Sequence, residues 1–456
     1  MRSVTCGAPL AGMQKNSSLP WTYIVLFPLI QIISYWFPSA SIIAATIILL
    51  YSYYLIIFRG LIEPIILLAI FARSFVGFSA AGNSVIYLFF NIATNYAPTF
   101  LYSVLFYSGF SLQKLFKTNK LTGVYCIILF IYLIIGLPGS IESVTLRFIP
   151  MIALTLILSY HVKSFDIQGI LRVFRLSFLV AIIMYFAPGY LEKSTAILNS
   201  NLVFGTEDSE AISNLGYLFR ALGAWWDPRI MGLFGVLYLA MTFAAETRPL
   251  RWVDVTISLF GIFLTLSRGA IGTALIIMAF YVIQKMWSQR KIKTLILIVM
   301  ISAIFSATTY NTYSETIDQI LSISDVTPFE QRAPFSDYAI DKFLNAPWGI
   351  GLGGLHRIDD GVNFGYTVYY SITDAFHAIQ LAEIGIVGYI LFILSFKELT
   401  WGLGWVSKAI SIGVVLQMVG TDIPNFGMIY FAFLMLVNHI VLIEHTKISD
   451  LRKLTS

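Results

Sequence analysis

Apolar runs close to the length of a membrane-crossing helix recur along this chain from residue 21 to residue 444, separated by short polar connections. The hydrocarbon core of a bilayer is about 30 Å thick, so a crossing helix needs about 20 consecutive apolar residues. Only 12% of the 456 residues are charged, against about 25% in a soluble globular protein. The expected fold is therefore an all-α polytopic membrane protein, a single integral membrane domain over residues 1–456. The candidate segments lie near 21–37, 39–58, 61–78, 83–112 (interrupted by Asn91, Asn95 and Pro98), 121–137, 145–161 and 169–187. Further ones lie near 228–245, 252–267, 269–286, 292–309, 377–396, 402–420 and 424–444. That pattern corresponds to about 12–14 transmembrane helices.

Lysine and arginine in short loops set orientation. The basic stretches "SLQKLFKTNK", "ETRPLR", "QKMWSQRKIK" and "HTKISDLRKLTS" fall on one side when the segments are counted. That side is expected to be cytoplasmic, with both termini inside and the first segment kept as a signal anchor. Two longer stretches, 188–227 and 310–376, then lie on the opposite face as periplasmic loops. The second carries nine Asp or Glu against Arg332, Lys342 and Arg357, and a loop of that length is usually functional. Within it "TIDQILSI" and "FSDYAIDKFLNA" have the pattern of short amphipathic helices. The net charge of +5 is dispersed among loops, which argues against a nucleic-acid partner. Cys6 and Cys126, the two cysteines, form no disulfide framework.

One arginine interrupts the apolar sequence "LTLSRGAIGTALIIMAFYVI". At a helix centre it would cost roughly 2.5–3.5 kcal/mol on insertion scales. The topology instead puts Arg268 at an external turn, with Gly269 beside it. Arg229 opens another segment in "WDPRIMGLFG", Arg332 lies in the large loop in "EQRAPF", and His377 begins "HAIQLAEIGIVGYI". Three arginines and a histidine thus approach one external surface from four parts of the chain. Each has an ordinary explanation: an arginine at a helix mouth often snorkels to phosphates, and Asp374 in "SITD" has the form of a capping box. Asp374 also sits one turn from His377, where it would orient the ring. Together the arginines suit an anionic ligand, because a guanidinium donates two parallel hydrogen bonds to phosphate and stays charged. The residues read as a lipid-diphosphate pocket with a histidine beside it.

"RIMGLFG", "LTLSRGAIG", "NAPWGIGLGG" and "FHAIQLAEIGIVGYILF" occur in the order and at the spacings of the O-antigen polymerase (Wzy-type) and O-antigen ligase superfamily, which residues 225–400 resemble. Two details differ from the usual pattern: Ala378 follows the histidine, and Phe335 and Tyr338 stand where a Trp is common after the loop arginine. The resemblance implies a GT-C-like fold in the bacterial inner membrane and a large periplasmic loop. It also implies glycosyl transfer from an undecaprenyl-diphosphate-linked glycan to a lipid-linked acceptor, with inversion and with neither metal nor other cofactor. By the same resemblance Arg229, Arg268 and Arg332 hold the donor diphosphate and His377 is the general base. Asp374 and Tyr338 are supporting or substrate-contacting residues, and a chain-length regulator is an implied partner.

Polymerase is the preferred reading. The ligase, which transfers glycan to lipid A-core, is the alternative within the superfamily. A flippase or transporter is the alternative from another class, with Glu63, Arg73 and Asp254 as its ionisable candidates. A metal-dependent hydrolase built on His356, Asp359, Asp360, Asp374 and His377 is a further one.

Overall fold

The computed structural model describes residues 18–71, 93–94, 97–98, 101, 119–136, 166–189, 221, 228–245, 250–288, 338–352, 354–356, 376–418 and 428–455. Among them the protein is all-helical. The elements are α1 (Trp21–Trp36), α2 (Pro38–Arg59), α3 (Lys120–Gly136), α4 (Ile167–Tyr185) and α5 (Pro228–Ala245). They continue with α6 (Leu250–Leu264), α7 (Arg268–Ser288), α8 (Phe376–Thr400), α9 (Trp405–Gln417) and α10 (Met428–Thr455). Four stretches are long and apolar enough to cross a membrane: Ala40–Arg59, Ile167–Tyr185, Arg268–Trp287 and Phe376–Thr400. The segments expected near 145–161 and 292–309, most of the one near 83–112, and most of both long loops lie outside the described residues.

The distribution of polarity is that of a membrane protein. Phe58, Ile43 and Leu275 are 74%, 66% and 65% exposed, while Asp254 and Gln380 are fully buried. Apolar side chains face outward, where lipid satisfies them, and polar ones are enclosed. Polar groups inside such a bundle need partners, and Asp254 accepts three hydrogen bonds from two of them. Arg175 of α4 donates from Nε and Nη2 to its two carboxylate oxygens, both at 2.6 Å. The buried Tyr238 hydroxyl of α5 donates to Oδ1. This ties α4, α5 and α6 together beside a close-packed seam in which Phe178 lies against Gly235 and Gly261.

Other carboxylates join helix ends. Asp166 caps α4 by accepting from Gly169 N at 2.9 Å and also accepts from Leu19 N at 3.0 Å, which fixes the start of α1. Glu444 of α10 accepts from Val406 N and Ser407 N at 2.8 and 3.2 Å, satisfying the first turn of α9. An acidic group at a helix N-terminus also matches the positive end of the helix dipole.

The segment expected near 377–396 is not one straight helix. Gly385 has φ 65° and ψ 179°, so α8 consists of two half-helices, 376–384 and 386–400. Phe376 packs on Phe392 (ring centroids 5.1 Å apart) and His377 on Tyr389 (5.8 Å). Residues 12 apart on a continuous helix would be about 18 Å apart, so the halves fold back on each other.

The break strands backbone groups, and the stretch 347–352 satisfies them. In a continuous helix Ile386 N would donate to Ala382 O. Here Ile386 N donates to Pro347 O (3.0 Å), while Ile350 N donates to Ala382 O (3.0 Å) and Gly351 N to Glu383 O (2.9 Å). On the other side Leu352 N donates to Tyr132 O of α3 at 3.0 Å, and the Tyr132 hydroxyl reaches Trp348 O. Gly349 and Gly351 have φ 93° and 95°. A Cβ on Gly349 would lie 2.7 Å from Glu383 O, and one on Gly351 would lie 2.6 Å from Gly136 N. The glycines of "PWGIG" are what allow the backbone to thread between α3 and the broken helix.

Two predictions follow from this packing. Asp254→Ala strands a mostly buried guanidinium and should destabilise the protein by roughly 3–5 kcal/mol. The thermal midpoint in detergent should fall accordingly, with part of the loss recovered in the double variant Arg175→Leu/Asp254→Ala. Gly385→Ala combines a positive φ with a Cβ 2.4 Å from the Trp348 carbonyl carbon and should lower the midpoint sharply. Gly272→Ala, in α7 with nothing within 4 Å of the added carbon, should leave it unchanged or raise it slightly.

Candidate functional site

The arginine of the "LSRG" turn is at a helix start, as the topology requires. After α6 ends at Leu264, the chain turns through Leu266 at φ 49°. Thr265 Oγ1 accepts from Ser267 N (3.2 Å), and Ser267 O then accepts from Ile271 N (2.9 Å) as the first bonds of α7 form. Arg268 is thereby the first residue of α7, and it is exposed. Arg229 is the second residue of α5 and is half-buried.

These two helix starts are neighbours. One turn into α5, a Cβ on Gly232 would be 2.6 Å from Ala270 Cβ and 3.2 Å from Ser267 Cβ. The helices therefore begin at the same end of the bundle, each with an arginine in its first turn. Helix N-termini carry partial positive charge and unpaired N–H groups that favour anions.

The same end holds the terminus of α9. A Cβ on Gly269 would be 2.8 Å from Gln417 Cγ. One turn on, Thr273 Oγ1 lies 2.8 Å from both Gly269 O and Gly413 O, which locks α7 to α9. Two residues before Gln417, Val415 O is 3.0 Å from His377 Nε2. The Tyr389 hydroxyl is 3.0 Å from His377 Nδ1. A carbonyl only accepts, so its partner assigns the proton to Nε2; Nδ1 is then the acceptor and Tyr389 the donor. The sequence reading gave the orienting role to Asp374, which lies outside the described residues. The described partners of the imidazole are Tyr389 and Val415.

Tyr338 begins a helical stretch at 338–345, inside the amphipathic segment expected from "FSDYAIDKFLNA". Ala339 packs with Leu355, Ile379 and Ala382, and Tyr338 and Ala378 border the same cluster. Tyr338 thus stands against the half-helix that carries His377, with Lys342 Nζ 5.2 Å above its ring. Arg332 lies outside the described residues.

Sequence reasoning missed several residues here. Gln380, one turn beyond His377, is fully buried, and its amide has no hydrogen-bond partner among the described residues. Gln417 is 2% exposed and its Nε2 is likewise without one. Buried amides of this kind are normally satisfied, and hydroxyl-rich ligands or water meet that need. Both glutamines sit in apolar surroundings in the sequence, where a lone Gln carries little signal. Tyr389 lies 12 residues from His377, a spacing that no helical face produces.

Chemically, the arrangement places two neighbouring helix N-termini, each bearing an arginine, and an oriented imidazole at one end of the bundle, beside buried amide groups. Residues 255–393 match the family model described as Wzy_C, O-antigen ligase. No curated protein and no solved structure matches the chain. The matched segment starts in α6 and ends in α8, so it contains Arg268, Arg332, the "PWGIG" stretch, His377 and Tyr389. Members of that family are glycosyl-transferring enzymes, and over this segment the chain is similar to them.

Proposed function

We propose that the protein is an O-antigen polymerase. In this reading it joins oligosaccharide repeat units carried on undecaprenyl diphosphate at the periplasmic face of the inner membrane. The observation that carries the reading is the adjacency of the starts of α5 and α7, with Arg229 and Arg268 on them, to the α9 terminus against which His377 is held.

A glycan on diphosphate already has a good leaving group. The enzyme's task is to stabilise the charge that develops as the anomeric C–O bond breaks, and to deliver an acceptor hydroxyl to the opposite face. Arg229 and Arg268 take the diphosphate, joined by Arg332 from the loop. Hydrogen bonds to charged groups contribute roughly 1.5–3 kcal/mol each, so a pair of guanidiniums offsets its own desolvation on a dianionic headgroup. His377 removes the acceptor proton, and attack from the face opposite the diphosphate inverts the anomeric carbon. The required charge stabilisation comes from arginines and helix ends, with no metal or other cofactor. Gln380 and Gln417 offer amides to sugar hydroxyls. Tyr338 presents a ring near the acceptor side, and Asp374 supports the start of the histidine half-helix. Chain-length control by a separate regulator fits a reaction whose product is again a substrate.

The ligase reading is favoured by the description of the matching family. The acceptor distinguishes the two. Purified protein given only lipid-linked repeat units extracted from the source cells should produce a ladder of longer lipid-linked glycans. Product formed only after lipid A-core is added would establish the ligase instead. Turnover in detergent, without a gradient, excludes a transporter.

Within this assay Arg229→Ala and Arg268→Ala should each lower the rate about 100- to 1000-fold while the thermal midpoint stays at the wild-type value. His377→Ala should lower it by about 100- to 10,000-fold, with retention of undecaprenyl diphosphate binding. Near-normal product from His377→Ala would remove the base assignment.

A further inference from the structure

His377 offers no open lone pair to an acceptor. Its Nε2 hydrogen is committed to Val415 O, and its Nδ1 lone pair receives the Tyr389 hydroxyl. Both contacts are 3.0 Å, and both partners are held by structure rather than chance. Val415 belongs to α9, which is locked to α7 through Thr273. Tyr389 belongs to the second half of α8, and the break at Gly385 and its repair by 347–351 put it there. The ring of Tyr389 is half-buried and meets the imidazole edge-on at 5.8 Å. A phenolic oxygen that donates one hydrogen bond still has lone pairs with which to accept another.

We infer that Tyr389 is a catalytic residue that relays the acceptor's proton to His377. This rests on the glycosyl-transfer reading above, and it adds the group that touches the acceptor. As the acceptor oxygen bonds to the anomeric carbon and the carbon–diphosphate bond breaks, the acceptor's O–H proton passes to Tyr389 Oη. The original Tyr389 proton passes in the same event to His377 Nδ1. Tyr389 ends neutral, the imidazole ends as imidazolium, and the diphosphate departs with the electron pair of the broken bond. The Nε2–H bond to Val415 O strengthens as the ring becomes cationic, since charge-assisted hydrogen bonds are roughly twice as strong as neutral ones. The imidazolium then returns its proton to water, and the Tyr389 to Nδ1 bond re-forms.

The alternative is direct abstraction by His377 after Tyr389 swings aside, and the two make opposite predictions for Tyr389→Phe. Phe keeps the ring contacts and removes only the hydroxyl. Under direct abstraction it frees Nδ1, and the rate is kept or raised. Under the relay it breaks the proton path. The test is single-turnover transfer with lipid-linked repeats from the source cells, with undecaprenyl diphosphate binding and the thermal midpoint measured on the same preparations.

The relay predicts a loss of at least 30-fold in Tyr389→Phe, undecaprenyl diphosphate binding within threefold of wild type, and a curved proton inventory in H2O/D2O mixtures for the wild type. A smaller loss, or a linear wild-type inventory reporting one proton in flight, overturns it; the inventory needs no variant and stands even where Tyr389→Phe folds poorly. The failure of the underlying glycosyl-transfer reading looks different, because the wild type would then show no transfer at all, and an active His377→Ala would remove the base assignment and the relay with it. An inactive His377→Ala with an active Tyr389→Phe removes the relay and leaves His377 as a direct base.

Discussion

The backbone of a lipid-embedded chain must satisfy its own polar groups, and the break in α8 depends on how that rule is met. Non-helical backbone at membrane depth is tolerated where other protein segments take over the freed hydrogen bonds. At Gly385 the Ala382 and Glu383 carbonyls accept from Ile350 and Gly351, and Ile386 N donates to Pro347 O. A stretch from the large loop thus completes the hydrogen bonding of a helix more than 30 residues later in sequence. Without those bonds the half-helix 376–384 would have no reason to fold back, and His377 would lie about 18 Å from Tyr389 instead of touching it.

The remaining geometry at this end of the bundle is built around short helices. α9 has 13 residues, about 20 Å at 1.5 Å per residue, which is less than the hydrocarbon thickness. Gln417 and Val415 sit in its last turn. The starts of α5 and α7 flank it, through Gly232 against Ala270 and Gly269 against Gln417. The partial positive charge of these helix N-termini disfavours an isolated arginine and favours an arginine paired with an anion. On the proposed reading, the diphosphate of a lipid-linked glycan supplies that anion.

Much of this was legible in the sequence. The apolar runs near 21–37, 39–58, 121–137, 169–187 and 228–245 correspond to α1 to α5 within a few residues, because lipid demands length and apolarity from every crossing helix. Arg268 was recognisable as a turn residue because a charge between two full-length apolar runs has few other places to be. The helix at 338–345 followed from its amphipathic spacing. The break at Gly385 was hidden: "AEIGIVGYILF" is uniformly apolar, and the cost of its broken hydrogen bonds is met by residues 347–351, which no local pattern links to it. For the same reason Tyr389 and Val415 were not legible as partners of His377, since tertiary folding alone brings them to it, while Asp374, one turn away along the chain, lies outside the described residues. Among the candidate residues, Arg332 and Asp374 fall outside the described positions, so their part in the site rests on sequence.

Fixing an imidazole from both sides has a consequence for the kind of chemistry the site performs. A ring with a free Nδ1 in a wet cleft would bind the first available hydroxyl, water included, and hydrolysis of the diphosphate-linked glycan would compete with transfer. With Nδ1 held by Tyr389 and Nε2 by Val415, basicity is available only through a group whose hydroxyl is aligned by the same hairpin that packs Phe376 on Phe392. On the proposed reading an acceptor glycan is aligned by its own contacts with the protein, whereas a water molecule lacks them. Preorganisation of this kind converts binding energy from the distant parts of a glycan into orientation at the reacting oxygen. On the proposed glycosyl-transfer reading, the break in α8 thereby favours a sugar hydroxyl over water.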